Sequence, residues 1–334
     1  MNSNPFTGNA FSTIALTAAI NLLPNRYGRC EELKIFPSKG SRFRTVAIEE
    51  RNGTLSMLPT AALGAPGTVG TRGKRTMRSF VIPHIPHDDV VLPEEVQGVR
   101  AFGSDMTTSL AEVMAEKLQA MRDRHAITLE HLRMGALRGE VLDADGSTLY
   151  NFYDEFGVTA KEINFELDDG TTDVRAKVIG LKRHIEDNLL GEFMTGIQCL
   201  VSGEFFDALT SHANVIRDWE RWQNGEALRS DQRSGFTYAG VTFEEYRGQA
   251  TDQDGTVRRF IGEAEGHAFP VGTGSTFATL FAPADFNETA NTMGLPLYVK
   301  QEPRKFDRGT DLHSQSNPLP ICFRPGVLVK VKAE

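Results

Sequence analysis

Cysteine is scarce in this chain of 334 residues. The three present, Cys30, Cys199 and Cys322, are odd in number and form no CxxC pair. That argues against a disulfide framework or a zinc site and fits buried thiols in a reducing cytosol. Long apolar runs are missing too, since no stretch nears the roughly 18 residues that a membrane-spanning helix requires. No basic residue precedes the weakly apolar part of Met1 to Ala19, so no secretory signal is expected. Nor is there an internal repeat, which sets aside solenoids and propellers.

Chemical signatures are equally sparse. Asp143-x-Asp145 with Gly146 suggests a calcium loop, but position six is Thr148 and position twelve is Asp154, where an EF-hand needs Gly and Glu. It reads as a turn. His84 and His87 with Asp88 and Asp89 are flanked by Pro83 and Pro86, which prevent a helix that would put ligands on one face. That segment reads as a rigid extended strand. The turn Val271 to Thr276 is Gly-rich without the Lys-Ser/Thr ending of a phosphate loop, and Phe277 to Phe281 continues it as strand, not helix. Ser202-Gly203 lacks a nucleophile elbow. No catalytic, cofactor-binding or metal-ligating residue is predicted, and no cofactor.

What is present is an ordinary globular composition, 40% hydrophobic and 24% charged. The length exceeds the point at which single cores stop growing, so two lobes or more are expected. Residues 1–105 carry 12 Lys/Arg against 9 Asp/Glu; with a net charge of −8 overall, the remainder holds −11. Such acidity favours solubility and makes a poor general binder of nucleic acid.

Residues 1–40 read as an extended arm with at most one short helix, Ser12–Leu23. Residues 41–90 read as a β-hairpin excursion. Arg44–Glu49 and Thr76–Ile82 alternate at period two around a Gly/Pro-rich middle, Leu58–Gly73. Such a hairpin has no core of its own and needs an outside surface. Lys161 to Val178 reads as two short strands about Asp168-Asp169-Gly170; Leu181–Leu190 and Gly203–Trp222 read as helical, the latter with Phe205, Phe206, Leu209 and Val215 on one face. Gly196–Val201 reads as a buried strand. Phe236–Gly248 and Thr256–Ile261 flank a turn at Asp252–Gly255, and Ala268–Phe281 and Gly326–Val331 add further strands. Helices mixed with mostly antiparallel strands give the class α+β.

The most telling stretch is Phe102 to Gly157. From Met106 to Arg138 apolar residues recur at helical spacing, with Ser104 or Ser109 and Glu112 as start signals and Gly139 as the stop. The result is a spine helix running into Leu142-Asp143-Ala144-Asp145-Gly146-Ser147, then Leu149-Tyr150-Asn151 and Asp154-Glu155-Phe156-Gly157, an Asp-Gly hairpin. This combination resembles the phage major capsid protein E family, the lambda-like capsid subunits. Ile82 to Pro86 with Val96 to Gly103 upstream, and Ala282 to Phe286, Gln315 to Pro320 and Arg324-Pro325 downstream, occur in the same order.

The resemblance implies a Hong Kong 97-type capsid fold. On it, residues 1–40 form an N-terminal arm and 41–90 an extended loop lying over the adjacent subunit. Residues 91–175 form a peripheral domain, 176–308 an axial domain, and 309–334 strands returning to both. The implied function is the major capsid protein of a tailed double-stranded DNA phage. It would assemble with itself into hexamers and pentamers of an icosahedral procapsid in the host cytoplasm, which expands as DNA enters. The implied partners are a scaffolding protein, a portal, a decoration protein and weakly held DNA, with no membrane. In that setting the basic run Arg72, Lys74, Arg75 and Arg78 is a solvated loop face, a DNA contact, or a partner for Asp88, Asp89, Glu94 or Glu95 of a neighbouring subunit. Two other readings remain: a non-viral shell of the same fold, and a soluble α+β enzyme.

Overall fold

The computed structural model describes residues 13–22, 28–51, 75–96, 110–222, 233, 235–252 and 254–334. Helix α1 (Thr13–Leu22), the single turn α2 (Arg29–Glu32) and strand β1 (Ser38–Gly40) lead into a ribbon of β2 (Thr45–Arg51) and β3 (Arg75–Val81). Strand β4 (Ile85–Val91) and turn α3 (Pro93–Val96) precede the spine, α4 (Leu110–Arg138). Then come β5 (Glu140–Leu142), β6 (Thr148–Asn151), α5 (Phe152–Phe156), β7 (Lys161–Asn164), α6 (Val174–Asn188), β8 (Gly196–Val201), α7 (Gly203–Ser211) and α8 (Ala213–Trp222). The remainder is mostly strand: β9 (Phe236–Tyr238), β10 (Val241–Glu245), β11 (Gln249–Thr251), β12 (Val257–Arg259), β13 (Glu265–Val271), β14 (Phe277–Phe281), β15 (Tyr298–Pro303), β16 (Thr310–Ser316), β17 (Pro318–Cys322) and β18 (Val329–Lys332).

The 29 residues of α4 span about 43 Å at 1.5 Å per residue. Its two halves serve two cores. Val113, Met114, Leu118 and Met121 pack with Leu16 and Ile20 of α1, Val91 of β4, and Leu297, Val299 and Leu312. Further along, Leu132, Met134 and Leu137 join the larger core, built on a six-stranded mixed sheet of order β7-β18-β13-β8-β10-β9. The rings of Phe165, Phe205 and Phe243 meet there, 5.5 to 6.4 Å apart. A smaller sheet, β15-β16-β4, covers the first half of the spine, and β1-β14-β17 lies beside the second.

The spine stops where the sequence says it should. Gly139 has φ +83°, and a Cβ there would lie 2.3 Å from the Tyr153 ring. The hairpin beyond it turns at Gly146, φ +87°, while Asp145 Oδ1 accepts from the Ser147 amide and hydroxyl at 2.8 and 2.6 Å. Asn151 caps α5 by accepting from the Tyr153 amide at 3.0 Å.

Several expectations need correction. Val174 to Val178 is the first part of helix α6, not a strand. Asp173 caps it by accepting from the Ala176 amide at 3.0 Å, and Val174, Val178, Leu181 and Ile185 share its buried face. Phe236–Gly248 is a hairpin, because Ala239 and Gly240 both take positive φ, +48° and +85°, the conformation of a two-residue hairpin turn. The expected helix Gly203–Trp222 is two helices, broken at His212, which is extended and buried with Nε2 3.0 Å from the Asp169 carbonyl. The arm region has a second helical turn, α2. Three ladders run parallel, β1 with β14, β8 with β10 and β7 with β18, so the main sheet is mixed. Strand β15 pairs with β16, and β7 lies in the six-stranded sheet. Ser104, Met106 and Ser109 lie outside the described residues.

Candidate assembly surfaces

The ribbon is rooted at one end. Phe80 is fully buried, its ring 5.3 Å from Tyr150 and 6.2 to 6.3 Å from Phe156 and Phe152. Tyr150 Oη receives from the Val81 amide at 2.9 Å and donates to the Val81 carbonyl at 2.8 Å. Arg78 donates to the Glu155 carbonyl and lies over the Phe156 ring at 5.1 Å. Beyond this base β2 and β3 stay paired to Arg51–Arg75, and Met77 is 74% exposed. A two-stranded ribbon with exposed apolar side chains is marginal alone and gains from a covering surface.

The candidate contact residues divide. Arg72, Lys74 and the Leu58–Gly73 middle lie outside the described residues; Arg75 ends the ladder opposite Arg51. Asp89 and Glu95 are brought together on Lys117 of the spine, at 3.4 and 3.1 Å, in the same chain. Asp88 pairs with His313 on the neighbouring strand, and Glu94 stands exposed on α3. Arg78 is docked on the hairpin instead.

His87, on the same strand as Asp88 and Asp89, packs 6.3 Å from His125 of the spine. Ser314 donates to the His87 carbonyl at 3.0 Å, which makes His125 Nε2, also 3.0 Å away, the donor to Ser314. Burial holds His125 down at about 3, with His87 and His313 adding repulsion. Burial and then Arg124, which donates to His87 Nε2 at 2.8 Å, lower His87 as well. Both imidazoles are neutral near pH 7. This strand serves as structure.

Sequence reasoning missed a clamp that holds the arm to the body. Arg29 of α2 reaches Glu244 of β10 with Nε at 2.6 Å and Nη2 at 3.0 Å, and Gln198 of β8 donates to the same carboxylate at 2.7 Å. The Cys30 amide and the Tyr246 hydroxyl both donate to Glu130 Oε1 of the spine at 3.0 Å. Arg133, one turn further and buried, pairs with Glu31. The Glu244 hydrogen bond, chiefly, raises Arg29 above its usual value, and burial does the same for Tyr246 and Cys30. Three parts of the chain meet here: arm, spine and main sheet. The only local signal was Arg29-Cys30-Glu31-Glu32, one cation and two carboxylates flanking a cysteine.

Cys30, Cys199 and Cys322 are free and buried, as expected, and burial pushes Cys322 up to about 12. Among the described residues no helix is long and apolar enough to cross a membrane.

A spine helix joining two cores, a ribbon projecting from its end, and a mixed sheet beyond it define the Hong Kong 97-type capsid fold. The likeness extends over nearly the whole chain. A chain assigned as the capsid protein of an E. coli CFT073 prophage superposes with a TM-score of 0.61 at 13% identity, covering 97% of this chain and 99% of that one. The capsid of an empty GTA particle gives 0.53 at 7% identity, covering 93% and 92%. The family model for phage major capsid protein E matches residues 12–333, and the chain belongs to that family. It is 31% identical to the major capsid protein of Pseudomonas phage KPP10, covering 100% of both. The major capsid protein of Salmonella phage Felix O1 is 31% identical over 96% of this chain and 95% of its own. Membership makes this a major capsid protein of tailed phages, a structural component of the virion.

Proposed function

We propose that copies of this chain assemble into hexamers and pentamers of an icosahedral procapsid in the host cytoplasm, which expands as DNA is packaged. The observation that carries this is the ribbon β2–β3. It is paired as far as Arg51 and Arg75, rooted by Phe80, and bears exposed Met77. Laid over a neighbour, it adds intersubunit area to many weak contacts that reinforce one another.

On this reading residues 1–40 are the arm, 41–90 the extended loop, and the spine with β15-β16-β4 the peripheral unit. The six-stranded sheet with α6, α7 and α8 is the axial unit. The sheet pairings support moving 298–308 to the peripheral side and β7 to the axial side. Of the acidic partners proposed for Arg72, Lys74, Arg75 and Arg78 of a neighbour, Glu94 is favoured, because Lys117 already compensates Asp89 and Glu95 and His313 pairs with Asp88. A scaffolding protein, a portal and a decoration protein complete the set. The chain's −8 charge suits a wall that touches DNA only weakly.

Electron microscopy of the expressed protein, with and without its scaffold, tests this. Closed shells at megadalton mass on a sizing column are expected; a small defined oligomer under both conditions overturns the proposal.

A further inference from the structure

Helix α1 lies where a fourth strand would. In the sheet β15-β16-β4, strand β15 has a strand neighbour on one side only. Alternate residues of such an outer strand point amide and carbonyl away from the partner, and left bare these are a template for another extended chain. On β15 they are not bare. The Val299 amide donates to Thr17 Oγ1 at 3.2 Å, and the same hydroxyl donates to the Val299 carbonyl at 3.4 Å. One turn along α1, Asn21 Nδ2 donates to the Leu297 carbonyl at 2.9 Å. One hydroxyl thus fills both roles that the amide and carbonyl of a pairing strand would fill.

Packing holds the helix in that place. Leu16 and Ile20 are buried with Leu297, Val299 and Leu312 in the smaller core, while Ile14, Ala18 and Ala19 are exposed. Thr17 is itself only 7% exposed, so its two bonds to Val299 are shut off from water. The opposite edge of the sheet is closed by other means. Pro86 interrupts the row of amides on β4, and the Val90 amide is taken by Asp89 Oδ1 at 2.7 Å. Pro303 ends β15 without an amide to offer. Where β3 leaves the body, Tyr150 repeats on Val81 what Thr17 does on Val299.

We propose that α1 is a guard on the β15 edge: while docked, it denies that edge to an extended strand of another copy. The inference stands on the subunit alone and goes beyond the shell reading. Copies held side by side at high effective concentration would, with this edge open, join strand to strand in competition with their other contacts.

Two measurements on unassembled subunits test it: hydrogen exchange at the Val299 amide, and binding of a fluorescent peptide with the sequence of residues 297–303, read by anisotropy. The double variant Thr17→Val, Ile20→Asp removes both bonds to Val299 and sets a charge in the small core, which lifts α1. Leu118→Ala on the spine weakens the same core and leaves the Thr17 and Asn21 bonds in place. The expected result is exchange at Val299 faster by about tenfold or more in the double variant, as loss of a net hydrogen bond implies. The peptide then binds that variant saturably and binds neither the parent nor Leu118→Ala. A fully N-methylated peptide, which has no amide to give, binds none of them. Should the double variant not fold, Thr17→Val alone, which keeps the shape of the side chain, is read by the same two measurements. Peptide binding to the parent would mean that the edge is open with α1 docked. Fast exchange without peptide binding would mean that the bare edge takes no strand, and unchanged exchange would mean that Thr17 does not close it. Each of these overturns the proposal.

Discussion

Arg29 and Glu244 are joined by two parallel hydrogen bonds, 2.6 and 3.0 Å, although 215 positions separate them in the chain. The pair ties the arm to the main sheet, beside Glu130 and Arg133, which tie it to the spine. Glu244, Glu130 and Arg133 are buried, so losing a partner strands any of them.

Replacing Arg29 by Ala therefore costs about 2 kcal/mol, the range for a hydrogen bond to a charged group that leaves Glu244 buried. Arg29→Lys recovers less than half, since an ammonium cannot fill both carboxylate oxygens in the planar fork. Urea denaturation of unassembled subunits measures both. A Lys variant as stable as the parent would mean that charge alone, not the paired geometry, holds the arm.

The ribbon separates folding from assembly. Phe80→Ala removes a fully buried ring and destabilises the subunit by about 3 to 5 kcal/mol. Met77→Asp, at a side chain already in water, changes subunit stability by less than about 0.5 kcal/mol. It nevertheless reduces the yield of closed particles seen by electron microscopy, as does deletion of Leu58–Gly73. Normal particle yields from both would remove the ribbon from the assembly argument.

Acid weakens the spine's contact with β4 and β16. His125 is neutral in the folded chain because burial lowers it from 6.5 to about 3, so the unfolded chain binds the extra proton between those values. Stability is therefore intact above pH 6.5 and falls as pH drops toward 3, with a slope approaching about 1.4 kcal/mol per pH unit for one proton. His125→Gln keeps a donor for Ser314 and cannot titrate, so its melting temperature declines less steeply from pH 7 to pH 4. Parallel profiles for the two proteins would assign the acid sensitivity to other groups.

What could be read from sequence was local. The spine, the Asp145-Gly146 hairpin and Gly196–Val201 each announce themselves within a few turns or residues, through period, turn chemistry or a mostly apolar run. Val174 to Val178 misled because β-branched residues also suit strands, and only the Asp173 cap and the spacing of Leu181 and Ile185 decide for helix. The clamp was illegible for a different reason. Nothing near Arg29 marks Glu244 as its partner, and a pairing across so much chain leaves no periodicity. The β15–β16 pairing is hidden in the same way.

The joint between spine and hairpin is a tight point that a single methyl group can probe. Gly139 and Gly157 both take positive φ, +83° and +63°, so alanine at either incurs the left-handed penalty of about 1 kcal/mol. Around Gly157 there is nothing within 4 Å of the added carbon, whereas at Gly139 it would lie 2.3 Å from Tyr153 Cε2. Gly157→Ala therefore measures the backbone cost alone, and Gly139→Ala that cost plus displacement of a ring packed against the main core. The expected result is a loss for Gly139→Ala at least about 1 kcal/mol larger, since overpacking in a filled interior costs that much or more. Equal losses by urea denaturation would mean that Tyr153 yields freely. The hairpin's angle to the spine, and with it the direction in which the ribbon leaves the subunit, would then not be set at this joint.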